Sequence, residues 1–468
     1  MTRVLLRILA AALLLVVSGL IGWRVLAPTE LSAPATEPYP PAPAPTSGVS
    51  SRLSVAPLIV DGRVRVYAAK NQVRADGPVT AEQVYTALWS YRRWPEQLSA
   101  VVASGTTVVS RWSDGKIVAV DARTGEVVWR ADGPAAPGYS GHRTGAATVW
   151  DPPGLRLAGG VVVVTQDQDL VGYDLSTGSV LWKTAVPAEC ADGFTTTGGA
   201  YLCATGAYDV LSGTPVGGWP AAPYSPVGCV TSGCAGFRDG SGQGWLATAA
   251  QPRRAPALDD PGATIAAGVV ISTVSSAELP SAPSSVPSSA PSPDSSFASA
   301  SSAPIPSAPT SPAPASSAPA FSASASPTPG SAASASSLSG SPGPVVSSGP
   351  SGVSPSSSVS EAVVGRTVDG AALWITPGPA RVLGESSGTV LLLSPENRLT
   401  GVDARTGTVR FAFPLAMLKD STDWKAGRYH VTDGFLGIER LNEDGPDDPE
   451  SPLYYHTVDT VLVAALPR

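Results

Sequence analysis

Lys116-Ile-Val-Ala-Val-Asp121-Ala-Arg-Thr124-Gly125-Glu-Val-Val-Trp129 is the stretch whose recurrence decides the fold. From Leu170 the chain reads Leu-Val-Gly-Tyr-Asp174-Leu-Ser-Thr177-Gly178-Ser-Val-Leu-Trp182. From Leu399 it reads Leu-Thr-Gly-Val-Asp403-Ala-Arg-Thr406-Gly407-Thr-Val-Arg-Phe411, with Phe in the place of Trp. The three copies align without a gap, and each follows a second apolar run that starts at glycine: Gly105 to Val109, Gly160 to Val164, and Gly388 to Leu393. The unit is therefore strand, short turn, strand, tight turn, strand.

The Asp-x-x-Thr-Gly core is a hairpin turn. Asp and Thr side chains accept hydrogen bonds from turn amides, and Gly supplies the positive φ that closes the reversal. The Trp four residues later falls on the outer strand, where its ring can pack between neighbouring sheets. Weaker copies fit the template at Asp209-Val-Leu-Ser212-Gly213 and at a segment ending in Trp89. Setting aside a biased stretch described below, the distance from Asp209 to Asp403 leaves room for three units of about 36 residues. Regular units of this size predict a radial array of small sheets. The run from Tyr454 to Leu466 reads as the strand that closes the ring, against residues near Leu53 to Tyr67.

Composition agrees with an all-β reading. The 468 residues are 43% hydrophobic and 14% charged, with 48 Gly and 47 Pro, a combination that helix-rich proteins do not tolerate. The net charge of −7, without any Lys/Arg-rich run, excludes the electrostatic footprint of a nucleic-acid binder.

At the N-terminus, Arg3 and Arg7 precede an apolar run over residues 8–26, long enough to cross a bilayer core as a helix. The positive flank predicts a cytoplasmic residue 1–7 segment and an extracytoplasmic remainder. A cleaved signal peptide is the rival reading, since Val25-Leu26-Ala27 resembles a cleavage site; Arg24, Pro28 and the length of the run favour an anchor. Residues 27–50, rich in Pro, Ala and Thr, read as an extended tether. Ordered repeats are expected over 51–274 and 361–468. Between them, residues 275–360 consist almost wholly of Ser, Ala, Pro and Gly, and cannot bury enough apolar surface to offset their ordering entropy. This stretch is expected to be a disordered insertion looping out of the ring, because similar repeats lie on both sides.

Four cysteines occur: Cys190, Cys203, Cys229 and Cys234. In an exported chain they read as two local disulfides, Cys190 with Cys203 and Cys229 with Cys234. A zinc or redox site is the alternative, but neither spacing is CxxC.

The segments DARTGEVVW, DLSTGSVLW and DARTGTVRF resemble the tryptophan-docking repeats of PQQ-like β-propellers, the group that includes quinoprotein dehydrogenases and the assembly factor BamB. The resemblance implies a seven- or eight-bladed propeller, preceded here by a transmembrane helix and interrupted by the long insertion. It assigns Asp121, Thr124, Gly125, Trp129, Asp174, Thr177, Gly178, Trp182, Asp403, Thr406, Gly407 and Phe411 structural roles in the repeats. The family's quinone site, with an adjacent-cysteine disulfide, a calcium held by carboxylates and a catalytic Asp, has no counterpart in the sequence. High Arg over Lys and abundant Ala, Gly and Pro suggest a high-GC, actinobacterial type of source, in which outer-membrane assembly machinery is absent.

Other catalytic patterns are no stronger. Gly384-Glu-Ser386-Ser-Gly388 matches a nucleophile elbow, but a strand rather than a helix follows it. His142, His430 and His456 lack metal-binding spacing. Gly240-x-Gly242-x-Gly244 reads as a turn, and the acidic run Glu443 to Glu450 as a solvated hairpin tip with calcium as its weaker alternative. No catalytic, cofactor or metal residue is therefore expected, and no nucleic acid. The expected function is a non-catalytic binding or scaffold module, attached to the cytoplasmic membrane and recognising a protein, peptide or wall polymer. The alternatives are a PQQ-dependent dehydrogenase or an extracytoplasmic sensor acting through a membrane partner.

Overall fold

The structure, a computed structural model, describes residues 7, 9–19, 29–44, 46–84, 86–141, 143–275, 361–417, 423–446, 448, 451, 453–454 and 458–467. The biased stretch 276–360, His142, His456, residues 20–28 and parts of the acidic run lie outside them. Its strands belong to one unit, formed by residues 1–280 and 359–468.

Alternating apolar runs and glycine turns produce eight antiparallel sheets. Numbered along the chain, blade 1 spans 58–94, blade 2 98–132, blade 3 155–185, blade 4 194–209 and blade 5 225–254. Blade 6 combines 264–275 with 361–377, blade 7 spans 381–414, and blade 8 spans 425–465. The first strands of successive blades touch one another and so line the inside of the ring. Apolar clusters fill the spaces between blades: Trp129 with Leu157 and Val162 between blades 2 and 3, and Trp374 with Val390 and Val402 between blades 6 and 7. Blade 8 meets blade 1 through Phe435, Val461 and Val463, which share a core with Leu58, Val64 and Val66. The protein is an eight-bladed β-propeller.

Ring closure uses the expected C-terminal strand, but its partner strand ends at Leu53 and extends upstream of the expected range. Val458–Ala465 pairs with Gly48–Leu53, from Gly48 opposite Ala465 to Leu53 opposite Val461. Leu58–Val60 and Val64–Ala69 instead form the first two strands of blade 1. Residues 27–50 are likewise not a free tether. Thr29–Ala33 adds a fifth strand to blade 1, antiparallel to Trp89–Trp94, and Gly48–Leu53 completes blade 8. Their Pro-rich flanks hide short strands that partner edges can recruit, since pairing depends on available backbone rather than on local composition. Among the described residues no helix is long and apolar enough to cross a membrane; residues 9–19 are helical.

The ends of the insertion are strand partners. Val269–Ser275 pairs with Glu361–Arg366, and Ser275 lies directly opposite Glu361. The insertion thus replaces an ordinary hairpin turn of blade 6.

Two faces follow from the strand order. Turns between first and second strands share one face with the Asp-x-x-Thr-Gly turns between third and fourth strands; this is the turn face. Connections between blades, and the turns between second and third strands, lie on the opposite face, where Ser275 and Glu361 also end.

Candidate functional site

The repeat residues build the joints that hold the ring rigid around its axis. Asp121 Oδ1 accepts from the Arg123 amide at 2.8 Å. Asp174 Oδ1 accepts from the Ser176 and Thr177 amides and from Thr177 Oγ1, and Asp403 Oδ1 does the same with Arg405 and Thr406. Thr124 Oγ1 accepts from the Glu126 amide at 3.2 Å. These bonds hold the Asp403 carboxyl down at about 2, the Thr406 amide first and the Arg410 guanidinium next.

Each docking Trp reaches into the following blade. Trp89 Nε1 donates to Ala122 O at 2.8 Å, Trp129 to Leu175 O at 2.9 Å, Trp182 to Val210 O at 2.8 Å and Trp374 to Ala404 O at 2.8 Å. The acceptor always lies in the next blade's turn. The turn glycine is the floor beneath the ring: Gly125, Gly178, Gly213 and Gly407 have φ near 70°, and a Cβ there would stand 2.3–2.4 Å from the incoming Trp. Phe411 has no N–H to donate, and it stacks on Phe413 with centroids 5.8 Å apart. Blade 4 has three strands, so Asp209 and Ser212 make the turn but no outer strand carries a Trp onward. Cys190 pairs with Cys203, beside blade 4, and Cys229 with Cys234 across the first hairpin of blade 5.

None of the four docking Trp rings is among the residues that line the axial cavities. The axis carries a channel, with a cavity of about 310 Å³ at the turn face and one of about 350 Å³ on the opposite side. The two share Leu58, Leu157, Val230, Thr231 and Val431 as wall residues. The larger cavity is the mouth, walled by Trp150, Tyr224, Tyr429 and His430 together with Asp151, Arg156, Asp192 and Glu385. The Cys229–Cys234 disulfide also lies in its wall.

Trp150 is held by three neighbours. Its Nε1 donates to Pro57 O at 2.9 Å, and its ring runs parallel to His430 with centroids 6.3 Å apart. Gly437 leaves the space it needs, since a Cβ there would come within 2.7 Å of Trp150 Cζ2. His430 Nε2 lies 3.3 Å from Thr231 Oγ1, and burial pushes the imidazole down to about 4, so it is neutral at physiological pH. Arg156 pairs with Asp151 at 3.5 Å and donates to Pro152 O. Glu385 and Asp192 have no side-chain hydrogen bond or ion pair among the described residues, and burial raises the Glu385 carboxyl above the usual range. The mouth therefore offers aromatic surface, one compensated cation and two carboxylates without partners.

Most of these residues escaped the sequence reading. His430 has no metal-binding spacing to mark it, and Glu385 sits inside the Gly384–Gly388 motif; it lies on the strand Arg381–Ser386, just before the Ser387-Gly388 reversal. The usable signal is positional. Leu383 to Glu385 and Tyr429 to Val431 lie on first strands, while Asp151, Asp192 and Tyr224 lie just before first strands, and the first strand of each blade is the axial one.

A pyrroloquinoline quinone site, which the fold implies, does not fit these residues. The quinone is a tricarboxylate, whereas the mouth's charged wall residues are Arg156 against Asp151, Asp192 and Glu385. Among the described residues no three His, Cys, Asp or Glu side chains converge as a metal site, and the wall disulfide joins non-adjacent cysteines.

A family model described as outer membrane protein assembly factor BamB matches residues 44–149 and 113–212. No curated protein matches the chain. Among solved structures, BamB from Moraxella catarrhalis is similar at 13% identity and a TM-score of 0.36, covering 94% of this chain and 100% of that one. A europium-containing methanol dehydrogenase aligns at 12% identity and a TM-score of 0.35, covering 94% of each chain. Quinohemoprotein alcohol dehydrogenase from Comamonas testosteroni aligns at 12% and 0.33, covering 93% of this chain and 76% of that one. Residues 44–212, blades 1 to 4, match the PQQ-like β-propeller repeats of that family model, and the docked Trp–Gly joints and eight sheets carry the same repeat around the ring.

Proposed function

We propose that this chain is a non-catalytic binding module outside the cytoplasm. In this reading residues 8–26 cross the cytoplasmic membrane, residues 1–7 remain inside, and the channel mouth receives a segment of a protein, a peptide or a wall polymer. The observation that carries the proposal is the pair of partnerless carboxylates, Glu385 and Asp192, set in an aromatic wall of Trp150, Tyr224 and Tyr429. Aromatic side chains supply large contact area at low entropic cost. Glu385, half-buried and without a side-chain partner, selects a group that brings its own positive charge or hydrogen-bond donors, and exposed Asp192 adds a second negative charge to the wall. A protein segment bearing a basic side chain meets both demands.

The test is a photo-crosslinking amino acid at Tyr224 in the full chain, expressed in its native membranes. A discrete adduct is expected, reduced at least fivefold by Glu385→Ala. Quinone- and calcium-dependent oxidation of an alcohol or sugar by the purified chain would overturn the non-catalytic reading.

A further inference from the structure

The chain enters the ring at a corner of blade 1. We propose that this corner, formed by Thr29–Ala33 and the end of Trp89–Trp94, rests on the lipid bilayer that holds residues 8–26. The inference rests on the anchor reading above and adds where the ring meets the lipid.

The first argument is reach. The apolar run ends at Leu26, and the first strand of the ring begins at Thr29. Three residues span at most about 11 Å when fully extended. The strand itself cannot act as slack, because it is paired with blade 1 along its whole length, from Thr29 opposite Trp94 to Ala33 opposite Ser90. Two further contacts tie it to blade 2: Arg130 Nε donates to Glu30 at 3.0 Å, and the Ala35 amide donates to Thr124 O at 2.7 Å. The stretch that composition reads as a spacer is therefore part of the ring, and the ring lies at the end of the apolar run.

The second argument is direction. Trp89–Trp94 is the fourth strand of blade 1 and runs toward the mouth face, so Trp94, and Thr29 beside it, stand at that face. From there Thr29–Ala33 runs away from the mouth toward the turn face, where Ala35 meets the blade 2 turn.

The third argument is chemistry. Cross-strand partners share a face of the sheet. Glu30, Tyr91 and Arg93 face blade 2, where they meet Arg130, Trp112 and Asp114. Thr29, Leu31, Arg92 and Trp94 share the other face. Leu31 is 59% exposed and Trp94 44% exposed, with Arg92 exposed between them. An exposed Trp beside an Arg and a Leu is the composition that partitions to a bilayer interface, with the indole at headgroup level and the guanidinium on anionic lipid. Its position at the end of the apolar run selects the bilayer over a protein partner.

The experiment uses the full chain in vesicles of anionic and zwitterionic lipid doped with brominated lipid. All four cysteines are in disulfides, so one introduced cysteine can carry an environment-sensitive fluorophore. Positions are Trp94→Cys, Arg92→Cys as a second site at the same corner, and Val409→Cys, an exposed position at the turn-face end of the outer strand of blade 7. At least twofold quenching is expected at 94 and 92 and none at 409. Equal, negligible quenching at all three in protein that resists alkaline carbonate extraction overturns the contact while leaving the anchor standing. Release by carbonate sinks the anchor reading and this inference with it.

Discussion

Replacing Gly178 by Ala isolates what the repeat contributes to the ring. Gly178 has φ 71°, and a Cβ there would stand 2.4 Å from Trp129 Cε3 and 2.5 Å from Cδ2. Carbon atoms rest at about 3.5–4.0 Å, so the indole must retreat by more than about 1 Å. That retreat stretches the 2.9 Å bond from Trp129 Nε1 to Leu175 O beyond hydrogen-bonding range. Left-handed backbone strain of about 1–2 kcal/mol, overpacking of about 1–3 kcal/mol and a lost buried bond of about 1 kcal/mol overlap, for a total of about 3–5 kcal/mol. At about 1–2 °C per kcal/mol for a ring of this size, Tm should fall by about 3–10 °C in thermal unfolding of the full chain. The control is a double-mutant cycle with Trp129→Ala, in which the new methyl meets no ring and only the backbone strain of about 1–2 kcal/mol remains. A Gly178→Ala cost below about 1 kcal/mol, or the same cost in both backgrounds, would refute the docking argument.

His430, held down to about 4 by burial, is neutral in the folded ring and takes up a proton more readily when unfolded. Its contribution to stability is fully present above pH 6.5 and is lost as pH falls from there toward 4; denaturation curves should show that slope, and His430→Gln should remove it. Asp76 is paired with Arg65 at 3.0 Å in the interior of blade 1, and Asp76→Asn should cost about 3–5 kcal/mol in urea unfolding by leaving a buried guanidinium short of its counter-charge. Replacing residues 276–360 by Asn-Gly should leave the ring folded and raise its stability by up to about 3 kcal/mol, because Ser275 and Glu361 are already partners and a shorter loop costs less closure entropy. Loss of cooperative unfolding in that variant would contradict the pairing.

The sequence by itself determined the fold class, because the information is local and repeated. Asp121, Thr124, Gly125 and Trp129 lie within nine residues, and a side chain that caps its own turn, or a glycine that must adopt positive φ, can be recognised wherever it occurs. Blade size and the exclusion of the 276–360 stretch from the repeats follow from the same periodicity. Tertiary structure decided whatever depends on pairing between distant segments. Gly48–Leu53 and Thr29–Ala33 carry no strand signature of their own, and become strands only because Val458–Ala465 and Trp89–Trp94 present open backbone edges to them. The mouth was illegible for the same reason. Trp150, Asp192, Tyr224, Glu385 and His430 come from five separate parts of the chain and share no spacing, and they meet only because each lies on or just before an axial strand once eight blades have closed into a ring.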